Sequence, residues 1–257
     1  MTAQPDGPLR GRAALVTGAG AGIGRGVALA LASAGATVVA AGRTRSTLDG
    51  VVAEIVRRGG RALAVRCDVR DLDSITQCLG VIRDEVGKLD TLVNNAQTYR
   101  HAALLEATDD DLADTWASGP QAVFRLMRLA HPLLAADGGV IFNFGSGVQL
   151  DPSDSFHGTY AAAKNAIGAL TRTAAVEWGK DGIRTFLIVP AAESDQLAAF
   201  RTRDPERYAA MLGRVPLGRF GDPEVDIGRP IAWLAGPEAT FMTGTTIMLD
   251  GGQMYLR

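Results

Sequence analysis

Short apolar runs alternate along the chain with longer segments in which apolar residues recur at helical spacing. An irregular stretch to about residue 222 and a short helix precede the last run. The apolar runs are AALVTG near residue 13, TVVAAG, ALAVRC, LDTLVNNA, GGVIFNFGS, IRTFLIVP and TTIMLDGG. The pattern therefore predicts seven β-strands joined by helices.

Strands that are separated by helices of this length pair in parallel, because each crossover returns the chain to the same edge of the sheet. We expect an α/β fold, a Rossmann-type doubly wound parallel sheet of seven strands with helices on both faces. Pro/Ser-rich linkers and repeats are absent from the sequence. Residues 1–257 are therefore predicted to form one domain, with residues 1–10 flexible.

One predicted helix carries a start signal and a bend signal. It runs from about Asp109 to Leu134, with Thr108 as the N-cap and Asp111 three residues later, which is the spacing of a capping box. Pro120 lacks a backbone N–H and is predicted to bend the helix.

Composition narrows the class of partner. The 26 basic and 28 acidic residues give a net charge of −2, which excludes a basic surface for nucleic acid or for anionic membranes. The three dispersed histidines offer no metal-binding spacing. We expect a small-molecule substrate, no metal, and association with copies of the same chain.

Cysteine usage and hydropathy indicate the compartment. Cys67 and Cys78 lie outside any CxxC spacing and are predicted to be buried thiols in a reducing cytosol. The longest uncharged run, Gly26 to Gly42, has 17 residues, fewer than the ~20 of a membrane span. With no apolar signal segment near residue 1, the sequence predicts a cytoplasmic protein.

The first strand leads directly into the sequence TGAGAGIGRG. Gly18, Gly22 and Gly24 stand there in G-xxx-G-x-G spacing at the start of a helix. Glycines let the backbone turn sharply and approach a pyrophosphate, while the helix N-terminus offers unpaired N–H groups. A glycine turn used only for packing is the alternative, but the strand, turn and helix context favours a dinucleotide.

The end of the second strand indicates which dinucleotide binds. An acidic residue at this place holds a ribose 2′-hydroxyl, whereas a basic residue accepts a 2′-phosphate. The sequence AAGRTR puts Gly42 at the place of the acid, and the guanidinium of Arg43 follows. NADP(H) is therefore favoured over NAD(H), unless Arg43 is only an exposed residue at the start of a helix.

The stretch GTYAAAK places a phenol and an ammonium one helical turn apart. Tyr160 and Lys164 share a helix face, with three alanines between them. Such a pair can tune a proton, although a Tyr-xxx-Lys spacing taken alone is more often packing and solvation.

The ordered set of motifs resembles the short-chain dehydrogenase/reductase family over nearly the whole chain. These motifs are the glycine turn, CDV at Cys67 to Val69, NNA at Asn94 to Ala96, a serine after the fifth strand, and Tyr160-xxx-Lys164. The resemblance implies a homotetramer, and implies that Asp68 and Val69 border the adenine. The cofactor-contacting residues that it implies are Gly18, Ala21, Gly22, Ile23, Gly24, Arg43, Asp68, Val69, Asn94, Asn95, Ala96, Tyr160, Lys164 and Pro190.

The same resemblance implies the catalytic roles. Tyr160 would exchange a proton with the substrate oxygen, and Lys164 would hold the nicotinamide ribose and lower the pKa of the phenol. Ser146 would donate a hydrogen bond to the carbonyl oxygen. Ser153 and Ser155 are remote alternatives, because the spacing from Ser146 to Tyr160 is one residue longer than is common in the family.

Three positions depart from the family pattern. Gly119 stands where the family has an asparagine that binds a relay water, Gln97 replaces a glycine, and Ala191 replaces another glycine. We expect an ordered water, held by Gln121 or by backbone carbonyls near Pro120, to carry the proton instead.

These departures leave the functional alternatives open. An NAD(P)(H)-dependent oxidoreductase acting on a carbonyl or alcohol ranks first. A dinucleotide-binding sensor or partner subunit with little turnover ranks second, and a halohydrin-dehalogenase-like lyase ranks third, because those proteins carry Arg at the place of Lys164. The residues that could meet a substrate, or could simply pack, are Tyr99, Arg100, His101, Phe156 and His157.

Overall fold

The computed structural model describes residues 7–151 and 156–254, and these contain a seven-stranded sheet. Every neighbouring pair is parallel, and the order across the sheet is β3-β2-β1-β4-β5-β6-β7. The strands are β1 (Ala13–Thr17), β2 (Thr37–Gly42), β3 (Arg61–Arg66), β4 (Thr91–Asn94), β5 (Val140–Phe144), β6 (Arg184–Pro190) and β7 (Thr245–Leu249). The predicted parallel sheet is confirmed.

Helices connect these strands within the described part of the chain. Turns of π-helix extend α3 over Ile82–Val86 and precede α9 over Pro223–Gly228. The α-helices are α1 (Gly22–Ser33), α2 (Arg45–Arg57), α3 (Leu72–Val81), α4 (Asp109–Ser118), α5 (Pro120–Leu134), α6 (Gly158–Trp178), α7 (Asp195–Arg203), α8 (Pro205–Leu212) and α9 (Arg229–Ala235).

Two hydrophobic cores lie on opposite faces of the sheet. Val16 belongs to the core that includes α1, α2 and α9, and its neighbour Leu15 belongs to the core that includes α3, α5 and α6. Successive strand residues point to opposite faces, so a strand buried on both sides reads as a continuous apolar run. Helices on both faces confirm the doubly wound architecture.

The direction in which strands are added reverses between β1 and β4. The chain adds β2 and β3 on one side of β1, and then adds β4 to β7 on the other side. The connections therefore leave a crevice above the carboxyl ends of β1 and β4, which is where open α/β sheets bind ligands.

The single helix predicted from Asp109 to Leu134 is two helices. The capping box is present, with the Asp111 N–H donating to Thr108 Oγ1 at 3.1 Å and the Thr108 N–H donating to Asp111 Oδ2 at 2.9 Å. Gly119 leaves the helical conformation, with φ −99° and ψ −104°, and α5 begins anew at Pro120. The bend predicted at Pro120 is a complete break.

Two further expectations need correction. The stretch before residue 222, predicted to be irregular, contains α7 and α8. Within the segment predicted to be flexible, the described residues 7–10 are packed, since Leu9 is buried and its N–H donates to Ala34 O at 2.9 Å. Residues 1–6 lie outside the described residues.

Close packing of α1 on the π-helical turn before α9 generates a stability prediction. A Cβ at Gly26 would lie 2.3 Å from Pro223 C and 2.6 Å from Glu224 N, whereas at Gly50 of the exposed α2 face it would meet nothing within 4 Å. We expect Gly26→Ala to lower the free energy of unfolding by ~1–3 kcal/mol, because the backbone at Pro223 and Glu224 would have to move. Gly50→Ala should raise it by up to ~1 kcal/mol, because alanine favours the helix.

Urea denaturation of both variants measures this pair of effects. Equal stability of Gly26→Ala and the unmodified protein would contradict the packing described here.

Candidate active site

The turn between β1 and α1 requires glycine for two different reasons. Gly18 has φ +67° and Gly22 has φ +51°, in the region that L side chains rarely adopt. A Cβ at Gly24 would lie 2.2 Å from Gly18 O and 2.5 Å from Asn95 Nδ2. The predicted glycine spacing therefore reflects positive φ at two positions and close backbone packing at the third.

The N-terminus of α1 is suited to an anion. Ala21 is the N-cap, and among the described residues no side chain accepts a hydrogen bond from the first N–H groups of this helix. Its first turn also contains no acidic residue. Unpaired N–H groups and the positive end of the helix dipole fit the pyrophosphate of a dinucleotide. Gly22, Ile23 and Gly24 form this first turn.

A cavity of about 150 Å³ lies at the carboxyl ends of β2, β3 and β4. Asp68 accepts two hydrogen bonds from Arg70, Nε to Oδ1 at 3.1 Å and Nη2 to Oδ2 at 2.8 Å, and this pairing lowers the pKa of Asp68. Arg43 is exposed and makes no ion pair with any described residue. The cavity is lined by Gly18, Gly42, Arg43, Cys67, Asp68, Val69, Arg70, Ala96, Gln97, Thr98 and Ser118.

Side-chain amides at the end of β4 join the two halves of the sheet. Asn95 Nδ2 donates to Thr17 O at 2.9 Å, and the Ala96 N–H donates to Thr17 Oγ1 at 3.2 Å. Asn94 Nδ2 donates to Asn143 Oδ1 on β5 at 2.8 Å. The NNA motif therefore holds β4 against β1 and β5 and forms one wall of the crevice.

The three predicted catalytic residues meet where β5 ends. Ser146 follows β5, Tyr160 and Lys164 lie on α6, and the Ser146 side chain lies close enough to the Tyr160 phenol to lower the pKa of that group. Lys164 Nζ donates to Phe144 O at 2.6 Å and lies 5.2 Å from the centroid of the Tyr160 ring. The alternative serines Ser153 and Ser155 lie outside the described residues.

Burial dominates the electrostatics of this group. It raises the pKa of Tyr160, with Tyr99 adding to the effect and the hydrogen bond from Ser146 opposing it. Burial also lowers the pKa of Lys164 to about 7. The direction for Tyr160 is opposite to the expected one, because the loss of hydration outweighs the opposing effect of Ser146.

An aromatic wall, defined as Tyr99, His101 and His157, stands beside Tyr160. The Tyr99 and Tyr160 rings are stacked with centroids 3.9 Å apart, and Tyr99 Oη is 2.9 Å from His101 Nε2. The His101 and His157 rings meet edge to face at 4.5 Å. Their positions after β4 and before α6 were the available signal, but the sequence does not reveal that they converge on Tyr160.

The positions that depart from the family pattern lie in different places. Gln97 lies against Gly119, whereas Gln121, expected to hold a relay water, is exposed on α5. Pro190 is the last residue of β6, and the N–H of the following Ala191 donates to Leu249 O at 3.0 Å. Gln97, and not Gln121, is therefore the amide placed at the helix break.

Comparison with known proteins decides the family. The model for enoyl-(acyl carrier protein) reductases matches residues 18–254. The chain belongs to the short-chain dehydrogenase/reductase family. It is 38% identical over 223 residues to a 12α-hydroxysteroid dehydrogenase of Clostridium sp. (strain ATCC 29733 / VPI C48-50), covering 84% of this chain and 86% of that protein. A 3-oxoacyl-(acyl-carrier-protein) reductase of Vibrio harveyi is 35% identical over 250 residues, or 96% and 99% of the two chains.

Solved structures agree with this assignment. A 7α-hydroxysteroid dehydrogenase complexed with NADH and 7-oxo glycochenodeoxycholic acid superposes with a TM-score of 0.89 at 31% identity, covering 98% of both chains. A Beutenbergia cavernae protein named for an NAD(P)-dependent gluconate 5-dehydrogenase, with bound NADP at low occupancy, gives 0.88 at 34% identity and covers 95% and 97%. The oxidoreductase interpretation of this short-chain dehydrogenase/reductase is confirmed over the sensor and lyase alternatives.

Two other classes of site are absent from the part of the chain that the structure describes. No cluster of three His, Cys, Asp or Glu side chains there could hold a metal ion. None of the helices found there combines the length and the apolar character that a bilayer crossing requires.

Burial of Lys164 predicts a pH-dependent stability difference. A lysine whose pKa falls to about 7 in the folded state but stays near ~10.4 in the unfolded state destabilises folding most below pH 7, where its charge is buried. This cost declines as the pH rises from 7 toward 10. Lys164→Met should therefore raise the free energy of unfolding more at pH 6 than at pH 9, by on the order of a few kcal/mol at the lower pH, and Tm should rise with it.

Calorimetry at the two pH values tests this expectation. Lys180→Met, at an exposed position, is the matched control. A gain that grows with pH would contradict the assignment of a buried charge.

Proposed function

We propose that the protein is an NADP(H)-dependent oxidoreductase that interconverts a carbonyl and an alcohol, with Tyr160 as proton donor and acceptor. The observation that carries this proposal is the pair formed by a buried Lys164 and a half-buried Tyr160, located with Ser146 at the same sheet edge as the uncapped N-terminus of α1. The bound nicotinamide would supply or accept the hydride.

The residues of the site have separate roles in proton transfer, in stabilising the substrate oxygen and in holding the cofactor. In reduction, the Tyr160 phenol gives its proton to the substrate oxygen as negative charge develops there, and Ser146 stabilises the same oxygen by a hydrogen bond. Lys164 has three N–H donors, of which one is committed to Phe144 O. In this proposal the other two N–H groups of Lys164 face the cofactor ribose and the Tyr160 phenol. Oxidation uses the same groups in reverse.

The preference for NADP(H) over NAD(H) is supported by charge. Arg43 is exposed at the cavity and unpaired among the described residues, while Asp68 is occupied by Arg70. A guanidinium donates two parallel hydrogen bonds to a 2′-phosphate. A carboxylate that is already paired with arginine binds a ribose hydroxyl poorly.

We also propose a homotetramer in the cytoplasm. Large apolar side chains are exposed on adjacent helices, at Trp116 on α4, Phe124 on α5 and Val176 on α6, and a second set stands near β7 at Trp233 and Phe241. Two separate apolar patches suit two different self-complementary interfaces. Light scattering that shows a monomer would reject the assembly.

The cytoplasmic location is supported by the cysteines, because both are free and buried, as suits a reducing compartment.

Removal of the Arg43 guanidinium should change cofactor preference. We expect Arg43→Ala to weaken NADPH binding by about ten- to a hundredfold, because a charge-assisted hydrogen bond contributes ~1.5–3 kcal/mol, and to leave NADH binding nearly unchanged. Fluorescence titration with both dinucleotides measures the difference. Arg45→Ala removes a neighbouring guanidinium that already pairs with Asp49 and should have little effect. An equal loss of affinity for both dinucleotides would contradict the assignment of Arg43 to the 2′-phosphate.

Removal of the Tyr160 hydroxyl should separate chemistry from binding. Tyr160→Phe is expected to lower the rate of ketone reduction by ~10²–10⁴-fold, because the general acid is lost, while NADPH affinity stays within a few-fold of its original value. A panel of ketones and secondary alcohols, followed at the nicotinamide absorbance band, provides the assay. Retention of most of the rate on a confirmed substrate would mean that the phenol only packs.

A further inference from the structure

The break between α4 and α5 leaves a small space beside the last turn of α4. Pro120 has no N–H to continue the helical ladder, and Gly119 has a non-helical backbone, although its N–H still donates to Thr115 O at 3.1 Å. Another element of the fold can therefore reach the Thr115 carbonyl from the side.

Gln97 occupies this space. Its Nε2 donates to Thr115 O at 3.4 Å, and its Oε1 is buried without a hydrogen-bond partner among the described residues. A Cβ at Gly119 would lie 2.4 Å from Gln97 Nε2 and 2.9 Å from Thr115 O. The amide fits only because position 119 has no side chain, so the two departures from the family pattern form one matched pair.

The residues that follow Gln97 connect its contact with α4 to Tyr160 in the active site. The Thr98 N–H donates to Ser118 Oγ at 3.2 Å, and Ser118 Oγ donates to Thr98 O at 3.0 Å. Residues 97 and 98 are thus both held on the end of α4. The next residue, Tyr99, has its ring 3.9 Å from that of Tyr160, with an interplanar angle of 13°.

We propose that Gln97 is a positioning residue of the active site, which occupies the space beside Gly119 and thereby holds the Tyr99 ring against the ring of Tyr160. Gln97 acts on Tyr160 through Tyr99. The inference rests on the function proposed above, in which Tyr160 transfers the proton. It predicts that a substitution at position 97 or 119 changes the environment of the Tyr160 phenol, although both positions lie 41 residues or more from position 160 in the sequence.

The groups that face Tyr160 determine the sign of the effect. Tyr99 comes from the segment after β4, His157 precedes α6 with its ring centroid 6.4 Å away, and Lys164 lies on α6 itself. His101 lies next to this group, with its Nε2 2.9 Å from Tyr99 Oη and its ring 4.5 Å from that of His157. Burial beneath Tyr99 raises the pKa of Tyr160, so release of Tyr99 hydrates the phenol and lowers that pKa.

The experiment compares Gln97→Gly, Gly119→Asn and the double variant with the unmodified protein. The chain has four tyrosines, so labelling with ¹³Cζ-tyrosine gives few resonances, and Tyr160→Phe assigns the one of interest. Gln121→Ala removes an exposed amide near the same break and is the matched control. Gly119→Ala, which adds only the Cβ, replaces Gly119→Asn if the latter does not fold.

We expect the Tyr160 resonance to begin titrating at lower pH in both single variants, and the alkaline limit of the reduction rate to move to lower pH with it. Gly119→Asn should lower Tm in the original background and lower it less in the Gln97→Gly background, where the contact with the amide is gone and only that with Thr115 O remains. Gln121→Ala should change none of these.

Additive effects of the two substitutions on Tm, or an unchanged Tyr160 titration in both single variants, would overturn the proposal. The NMR and melting measurements need no turnover. An enzyme with no hydride transfer would therefore reject the proposed function, while these two measurements would still decide the role of Gln97.

Discussion

Parallel pairing of β1 with β4 is the constraint on which the site depends. Because all the strands run in the same direction, their carboxyl ends meet at one edge, and the reversal of strand addition opens a crevice between β1 and β4. The crevice is kept narrow by contact, with Asn95 Nδ2 bonded to Thr17 O and packed against Gly24. A side chain at Gly24 would collide with the Gly18 carbonyl and with the Asn95 amide that bonds to Thr17, so the packing between the ends of the two strands requires a glycine there.

The second constraint is the low polarity around Tyr160 and Lys164. A lysine with a pKa of about 7 changes charge near neutral pH, and a tyrosine with a raised pKa holds its proton firmly. In this state the pair favours a neutral phenol. In the function proposed here, the charge that draws the proton off during oxidation would therefore come with the bound cofactor or from protonation of Lys164, and proton transfer would be coupled to occupation of the site.

Local patterns in the sequence predicted the sheet and the motif residues, because strand periodicity, glycine spacing and Tyr160-xxx-Lys164 are short-range signals. The α7 helix was missed because its residues give weak periodicity, and α8 because it has only eight residues, although Ser194 and Asp204 are N-caps that could have shown them. The pKa of Tyr160 was predicted in the wrong direction because charge was considered and burial was not. Gln97 and Gly119 were each noticed, but a contact across 22 residues requires coordinates.

The segment between β6 and α9 is built differently from the sheet edge that it covers. Its ends are fixed by backbone bonds, from the Gly221 N–H to Ala191 O at 2.9 Å and from the Glu193 N–H to Gly221 O at 2.8 Å. Its middle is held by polar side-chain contacts near the surface, such as Tyr208 Oη donating to Glu193 Oε2 at 3.1 Å. Such contacts contribute about 1 kcal/mol or less each, so α7 and α8 can open or be remodelled without cost to the sheet. A change within α7 or α8 therefore leaves the strands that carry the glycine turn, Ser146 and the helix of Tyr160 and Lys164 in place.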